Sequence, residues 1–239
     1  MSKAIWHDLE CGSYSADLEF WQTLAGRTGG PVLDVGAGTG RTALALARDG
    51  HEVVAIDVDD ELLEALRERA GALAITTIVA DARAFWIGET FPLIIVPMQT
   101  IQLLGGPEGR AQFLECAAFH LESPGVLAIA IAHELELFDV AEGTVPGPLP
   151  DVAEIDGVVY SSRPVAVRAN GTGFDLERRR ETVTAAGELS TEQDLIHLDR
   201  LDPATLEAEG EAAGLRAASR LEIAPTEDYV GSTVVMFRA

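Results

Sequence analysis

The sequence predicts an α/β fold in which a parallel sheet is covered by helices and carries an antiparallel β insert. Short apolar runs alternate with helix-like segments from Pro31 to about Ala132, and this alternation is typical of parallel strands joined by right-handed crossovers. The runs are almost continuously apolar, as expected of strands buried on both faces. After about Phe138 the polarity alternates along each segment, which indicates antiparallel hairpins.

Composition bounds the class of protein. The 239 residues with 47% apolar content suffice for a buried core and argue against disorder. No apolar run approaches the roughly 18 residues that span a bilayer, so no membrane partner is expected. The first residues lack the basic-then-apolar layout of a signal peptide, and a cytoplasmic location is expected. A net charge of −22 would repel phosphates, so no nucleic-acid partner is expected.

Hydrophobic periodicity places the elements of the first half in order. Apolar residues at helical spacing predict a helix near Ser15–Ala25. Five buried strands are predicted at 32–35, 52–57, 75–80, 93–97 and 126–132. The helices between them are predicted at 41–48, from Asp59 through Ala70, and at 108–121.

The second half predicts the insert and the end of the chain. Three alternating segments at 158–167, 173–184 and 189–198 are separated by glycine-containing hairpin turns. A helix at 203–213 and two strands at 215–223 and 232–238 follow. The predicted organisation is therefore an N-terminal helical cap at 1–30, a core at 31–140, the insert at 151–200, and a C-terminal part at 201–239 that completes the core sheet.

A glycine-rich turn carries the strongest chemical signal. Residues 32–40 read Val-Leu-Asp-Val-Gly-Ala-Gly-Thr-Gly, a strand running into glycines and then a helix. Glycine permits positive φ and close approach of a ligand to the backbone. Asp57 ends the next strand, 19 residues after Gly38, and a carboxylate there can accept both ribose hydroxyls of an adenosine. The pattern predicts an adenosine-containing cofactor.

The glycine spacing distinguishes between cofactors. A dinucleotide site needs G-x-G-x-x-G with a helix N-terminus directed at pyrophosphate. Here Gly36, Gly38 and Gly40 give G-x-G-x-G, followed by Arg41. A cofactor without phosphate suits this turn better. A glycine turn with no ligand and a nicotinamide cofactor are the alternatives.

These residues resemble the class I methyltransferases that use S-adenosylmethionine (SAM). The match runs from Pro31 to about Ala132. It implies SAM as cofactor, S-adenosylhomocysteine as product, and a seven-stranded Rossmann-like sheet of order 3-2-1-4-5-7-6 with strand 7 antiparallel. It implies that Asp57 binds ribose and that Asp81 accepts from the adenine amine. The cofactor-binding residues so implied are Asp34, Gly36, Ala37, Gly38, Gly40, Asp57, Val58, Asp81, Ala82, Val96, Pro97 and Met98.

Within that family the chain is most similar to small-molecule N-methyltransferases. The resemblance implies that the antiparallel insert covers the substrate and that the segment from Tyr14 to Trp21 caps the donor. Motifs of other subfamilies are absent from the sequence. Residues 96–99 (Val-Pro-Met-Gln) lack the polar and aromatic residues of amino-directed nucleic-acid enzymes. No carboxylate set of metal-dependent enzymes can be assembled, so no metal is expected.

Five residues are candidates for catalysis and substrate binding. His133 follows the fifth strand, where open α/β sheets bind ligands, and could be a general base; Glu134 could orient the acceptor. Tyr14 could close over the sulfonium, Gln99 could contact substrate, and Arg178 could bind a substrate carboxylate or phosphate. The alternatives are a polar loop start at His133, helix packing for Tyr14, a surface loop at Gln99 and a solvated strand end at Arg178.

The sequence therefore predicts a SAM-dependent methyltransferase acting on a small molecule. An amine acceptor is favoured, because an amine needs only to lose a proton, and a hydroxyl acceptor is the alternative. SAM binding without turnover and another SAM-using reaction remain open. The edges of the inserted sheet could pair with a second copy, which makes a homodimer one expectation.

Overall fold

A computed structural model describes residues 3–140, 148–227 and 229–239. Its helices are α1 (Lys3–His7), α2 (Leu18–Thr28), α3 (Arg41–Arg48), α4 (Asp60–Ala70), α5 (Gly106–His120) and α6 (Pro203–Ala212), with a π-helical turn at Asp8–Gly12 and a 3-10 turn at Thr100–Leu103. Its strands are β1 (Val32–Val35), β2 (Val53–Asp57), β3 (Ile75–Val79), β4 (Phe91–Val96), β5 (Leu121–Ile131), β6 (Phe138–Asp139), β7 (Asp151–Ile155), β8 (Val158–Asn170), β9 (Gly173–Val183), β10 (Leu189–Asp199), β11 (Arg216–Ile223) and β12 (Ser232–Arg238).

A seven-stranded sheet forms the core. Its order is β3-β2-β1-β4-β5-β12-β11, and β12 runs antiparallel to both neighbours. With β11 and β12 as strands 6 and 7, this is the predicted order. The predicted fold class is confirmed, including the antiparallel insert, which forms a separate five-stranded sheet.

Alternation within the core strands buries both faces of this sheet. Leu33 and Val35 pack in one hydrophobic cluster, while Val32 packs in a second cluster with Trp21 and Ala43. Helices α2 and α3 thus contribute to one face, and Phe113 of α5 contributes to the other. Because successive strand side chains point to opposite faces, apolar residues at every position are needed to bury both.

The described residues divide into two compact units. One comprises the N-terminal segment through Ser13 together with Leu135–Arg200. The other comprises Tyr14–Glu134 and Leu201–Ala239. The predicted N-terminal cap at 1–30 is therefore split, because α1 and the π-helical turn share a unit with the inserted sheet while α2 shares one with the core.

The inserted sheet is entirely antiparallel. Its strands are ordered β10-β9-β8-β6, and β7 also pairs with β8. Strand β7 was not predicted, and β5 begins at Leu121 rather than at 126. The predicted homodimer stays a prediction. Among the residues that the structure describes, no helix is long and apolar enough to cross a membrane.

Candidate functional site

The glycine turn connects β1 to α3 in a left-handed conformation. Gly36, Gly38 and Gly40 have φ values of 72°, 53° and 92°, which only glycine adopts freely. Two of the three glycines are also required by packing. A Cβ at Gly36 would lie 2.4 Å from Cγ2 of Thr100, and one at Gly40 would lie 2.2 Å from Cδ1 of Leu66. The turn is therefore held closely against its own core.

Asp57 joins the end of β2 to the glycine turn. Its Oδ2 accepts a 2.8 Å hydrogen bond from the backbone N–H of Gly38. Its Oδ1 accepts a 2.9 Å bond from the N–H of Asp59, which caps α4. One oxygen of the predicted ribose-binding carboxylate is therefore bonded to the glycine turn and the other to the start of α4. These two bonds hold the carboxylate at the sheet edge.

Asp34 is a buried carboxylate on β1. The residue is 1% exposed, and neither side-chain oxygen has a partner with hydrogen-bonding geometry among the described residues. Burial raises the pKa of Asp34 to about 7. The positive charge of Arg41 and the backbone N–H of Ala43 lower this pKa, and the negative charges of Asp57 and Asp17 raise it. Burial of a carboxylate without a hydrogen bond costs free energy when the group is ionised, and the raised pKa of Asp34 reflects that cost.

Three predicted cofactor-binding residues, Val58, Asp81 and Ala82, lie just after β2 and β3. Val58 is 72% exposed although it is apolar. Asp81 is paired with Arg83, whose Nη2 lies 2.6 Å from Oδ2, and this pairing holds the pKa of Asp81 below its ordinary value. Ala82, which stands between Asp81 and Arg83 in the chain, is partly buried against the core. An exposed apolar side chain beside a charged acceptor suits one face and one edge of a purine.

The end of β4 supplies a second turn at the same sheet edge. Val96 and Pro97 are buried, and Met98 adopts a φ of 55°. Positive φ in a residue other than glycine is uncommon and concentrates at functional sites. The hydroxyl of Thr100 donates to the Pro97 carbonyl, and Gln99 precedes the 3-10 turn, half-buried.

Sequence reasoning missed Gln102, which connects this turn to the end of β5. Its side chain is 1% exposed. Its Nε2 donates to the carbonyl of Ala132 at 3.0 Å, and its Oε1 accepts from the Ala132 N–H at 2.8 Å. The side-chain amide of Gln102 thereby makes the two hydrogen bonds that a neighbouring strand would otherwise make with Ala132, the residue before His133. A polar residue between Ile101 and Leu103 was the available signal.

His133 lies just beyond the carboxyl end of β5. Its side chain is 31% exposed, and its Nδ1 lies 3.4 Å from the hydroxyl of Thr233. Its Nε2 lies 4.0 Å from Glu134, whose side chain is 91% exposed. One ring nitrogen therefore contacts the core and the other faces the carboxylate of an exposed neighbour.

Tyr14 is held by residues that sequence reasoning did not single out. The residue is 5% exposed, its ring lies 5.0 Å from that of Tyr229, and Arg41 lies over it at 5.1 Å. Arg41 also forms a buried ion pair with Asp17 at 2.5 Å. Burial, followed by the charge of Asp17, raises the pKa of the Tyr14 phenol. Trp21 donates to the same carboxylate at 2.8 Å.

Arg178 belongs to the other unit. Its side chain is 11% exposed, so the interpretation as a solvated strand end is wrong. Its Nη2 lies 2.6 Å from Asp151, its Nε donates to Ser162 at 2.9 Å, and Glu10 lies 3.4 Å away. These partners engage the guanidinium within its own unit, and substrate binding by Arg178 stays a prediction.

The parallel arrangement gathers most of the predicted site. Because β3, β2, β1, β4 and β5 are adjacent and run in the same direction, their carboxyl ends share one edge. That edge carries the residues Asp81, Asp57, Gly38, Met98 and His133. Each predicted cofactor residue therefore lies on or next to a strand end where open α/β sheets bind ligands.

Residues 32–125 match the family model described as "Methyltransferase domain". A stretch of 117 residues is 32% identical to "Cypemycin N-terminal methyltransferase" of a Streptomyces species, covering 47% of this chain and 46% of that protein. The chain thus matches about half the length of this relative. These matches confirm the predicted resemblance for the segment that contains the glycine turn, Asp57 and Asp81.

Solved structures share the fold over nearly the whole chain. The sugar N-methyltransferase KedS8 from Streptoalloteichus has a TM-score of 0.74 at 20% identity, covering 100% of this chain and 93% of its own. A SAM-bound amino pentose methyltransferase from Micromonospora echinaspora has a TM-score of 0.69 at 19% identity, with 95% and 93% covered. At these identities the likeness establishes the fold, including the inserted sheet.

Proposed function

We propose that this chain, whose residues 32–125 match the methyltransferase domain, is a SAM-dependent enzyme that methylates a small-molecule amine. One observation carries the proposal. The N–H of Gly38, in a turn without the dinucleotide spacing, is bonded to the carboxylate that ends β2. This arrangement presents a backbone turn and a ribose acceptor together.

The residues at the sheet edge fit SAM. Asp34 lies two residues before Gly36, with two buried oxygens that have no hydrogen-bond partner among the described residues, and a carboxylate there would favour the ammonium group of the amino acid portion. Asp57 would accept from the ribose hydroxyls, Asp81 would accept from the adenine amine, and Val58 would cover the adenine face. Turn residues Gly36, Ala37, Gly38 and Gly40, together with Ala82, Val96, Pro97 and Met98, would complete the cradle.

SAM supplies a methyl group on a positively charged sulfur, and the protein needs only to align the acceptor and exclude water. His133 would accept the proton that the acceptor nitrogen loses, through the ring nitrogen that does not contact Thr233. Tyr14, whose ring contacts Tyr229 and Arg41, would close the donor site. Glu134 and Gln99 would orient the acceptor from the ends of β5 and β4.

Three observations support an amine of small size as acceptor. The relatives described above are named as methylating an N-terminus, a sugar nitrogen and an amino pentose. The net charge of −22 disfavours nucleic acid and favours cationic acceptors. A positively charged amine that must lose a proton also suits a site whose histidine has one ring nitrogen directed away from the core.

Calorimetric titration with SAM, S-adenosylhomocysteine and NAD tests the donor site. Binding of both adenosyl-sulfur ligands and silence toward NAD are expected. Amines and matched alcohols are then incubated with SAM, and products are analysed by mass spectrometry. Methylated amine supports the proposal; methylated alcohol alone overturns the amine assignment, and SAM binding without product favours a binding protein. Loss of SAM without methyl transfer would indicate another SAM-using reaction.

A further inference from the structure

Thr233 lies between a polar side chain of β11 and one that follows the end of β5. It belongs to β12, is 0% exposed, and is flanked by the aliphatic Val234. Its register partners are Ile131 on β5 and Glu222 on β11. His133 lies two residues beyond Ile131, the last residue of β5. A fully buried hydroxyl at this position requires partners.

The hydroxyl has a partner on each side. It lies 2.9 Å and 2.8 Å from the two carboxylate oxygens of Glu222 and 3.4 Å from Nδ1 of His133. A hydroxyl has one proton to donate, and an ionised carboxylate can only accept. The Thr233 proton therefore goes to Glu222. What remains toward His133 is an oxygen lone pair, which accepts a hydrogen bond only if Nδ1 carries a proton.

We propose that Thr233 and Glu222 are positioning residues that hold the proton of neutral His133 on Nδ1 and leave the lone pair on Nε2. The second contact of a histidine ring ordinarily selects its tautomer in this way. The catalytic meaning of this tautomer rests on the proposed function, since it makes Nε2 the atom that takes a proton from the acceptor amine. In that step the amine N–H bond breaks and an Nε2–H bond forms.

The surroundings of His133 agree with this assignment. Gln102 fixes the backbone of Ala132 through two hydrogen bonds, and this holds the backbone from which the His133 side chain extends. The carboxylate of Glu134, 4.0 Å from Nε2, would stabilise the imidazolium formed when Nε2 takes up the proton. The Thr233 oxygen accepts from Nδ1–H in both charge states, so proton uptake needs no rearrangement on that side.

Nitrogen-15 NMR of histidine-labelled protein, in the absence of SAM and substrate, measures the tautomer directly. The two neutral forms have different pairs of ring-nitrogen chemical shifts, and His133→Gln identifies the signal. We expect the Nδ1–H form to dominate in the unmodified protein and in Thr233→Ser, which keeps the hydroxyl. Thr233→Val keeps the shape of the side chain but removes the hydroxyl. In this variant the ratio of the Nδ1–H form to the Nε2–H form should fall by about three- to tenfold, the effect of one hydrogen bond.

Glu222→Gln provides a second, surface-exposed variant that does not depend on repacking the core. A glutamine amide can donate to Thr233, which frees the threonine proton for Nδ1 and should shift the ratio toward Nε2–H. Dominance of Nε2–H in the unmodified protein would overturn the inference, as would an unchanged ratio in both Thr233→Val and Glu222→Gln. The NMR measurement involves neither cofactor nor turnover. Failure of methyl transfer would therefore contradict the proposed function without affecting the tautomer assignment.

Discussion

The backbone N–H of Gly38 donates a 2.8 Å hydrogen bond to Oδ2 of Asp57. This bond joins the turn after β1 to the end of β2. The carboxylate proposed to bind ribose is therefore also the group that fixes the turn against which the rest of the cofactor would lie. Binding and local order are coupled at this pair, and a substitution of Asp57 should alter both.

Asp57→Ala should abolish measurable SAM binding and leave the fold intact. Two ribose hydroxyls lose a charged acceptor, which at about 1.5–3 kcal/mol each lowers affinity by at least about a hundredfold. Calorimetric titration measures the affinity, and circular dichroism checks the fold. Asp60→Ala, which removes an exposed carboxylate on α4, should bind SAM normally. Unchanged affinity in Asp57→Ala would show that the ribose assignment is wrong.

Gly40→Ala should destabilise the protein more than Gly50→Ala. Their φ values of 92° and 91° are nearly identical, so the backbone penalty of about 1 kcal/mol is shared. A Cβ at Gly40 would lie 2.2 Å from Leu66, whereas one at Gly50 would meet nothing within 4 Å. We expect an additional cost of about 1–3 kcal/mol at Gly40 from overpacking. Urea unfolding compares the two variants, and equal costs would contradict the packing role.

Asp34 should make stability depend on pH. Its pKa is raised from 3.8 to about 7 by burial, so the folded state resists ionisation that the unfolded state allows. The free energy of unfolding is unaffected by this group below 3.8, falls as pH rises toward 7, and stays reduced above, by about 4 kcal/mol at most. Asp34→Asn should remove this fall. Urea unfolding of the unmodified protein and of Asp34→Asn at pH 4, 6 and 8 tests this pH dependence. Parallel pH profiles of the free energy of unfolding would refute the role of Asp34.

The buried pair of Asp17 and Arg41 should contribute strongly to folding. The two side chains are 2% and 10% exposed, and Trp21 depends on the same carboxylate. Asp17→Ala leaves a buried guanidinium without its charge partner and should cost about 3–5 kcal/mol. Glu207→Ala breaks the more exposed pair with Arg220 and should cost at most about 1 kcal/mol. Thermal and chemical unfolding measure both; similar small losses would exclude a structural role for Asp17.

The core elements could be read from the sequence because their signals are local. Strands β1, β2 and β4 are almost continuously apolar and buried, and glycine or a capping acid marks the helix ends, as Asp59 does for α4. Short elements could not be read in this way. Helix α1 has five residues, too few to display a period. Trp6 of α1 is buried; it makes an edge contact with the Tyr160 ring at 5.5 Å, and the Arg180 guanidinium lies over its ring at 5.4 Å. Both partners lie more than a hundred residues away in the chain.

The sequence by itself determined the fold class, the glycine turn and the acids that follow the strands, because each depends on a spacing of a few residues or on one strand-turn-helix unit. Tertiary structure alone decided which groups support those acids and the candidate histidine. Gln102 reaches Ala132, Arg41 reaches Asp17, and Thr233 joins Glu222 to His133. These hydrogen bonds join residues that are far apart in the chain, and each forms only if the donor–acceptor distance is correct to within a few tenths of an ångström. Only the folded backbone sets those distances.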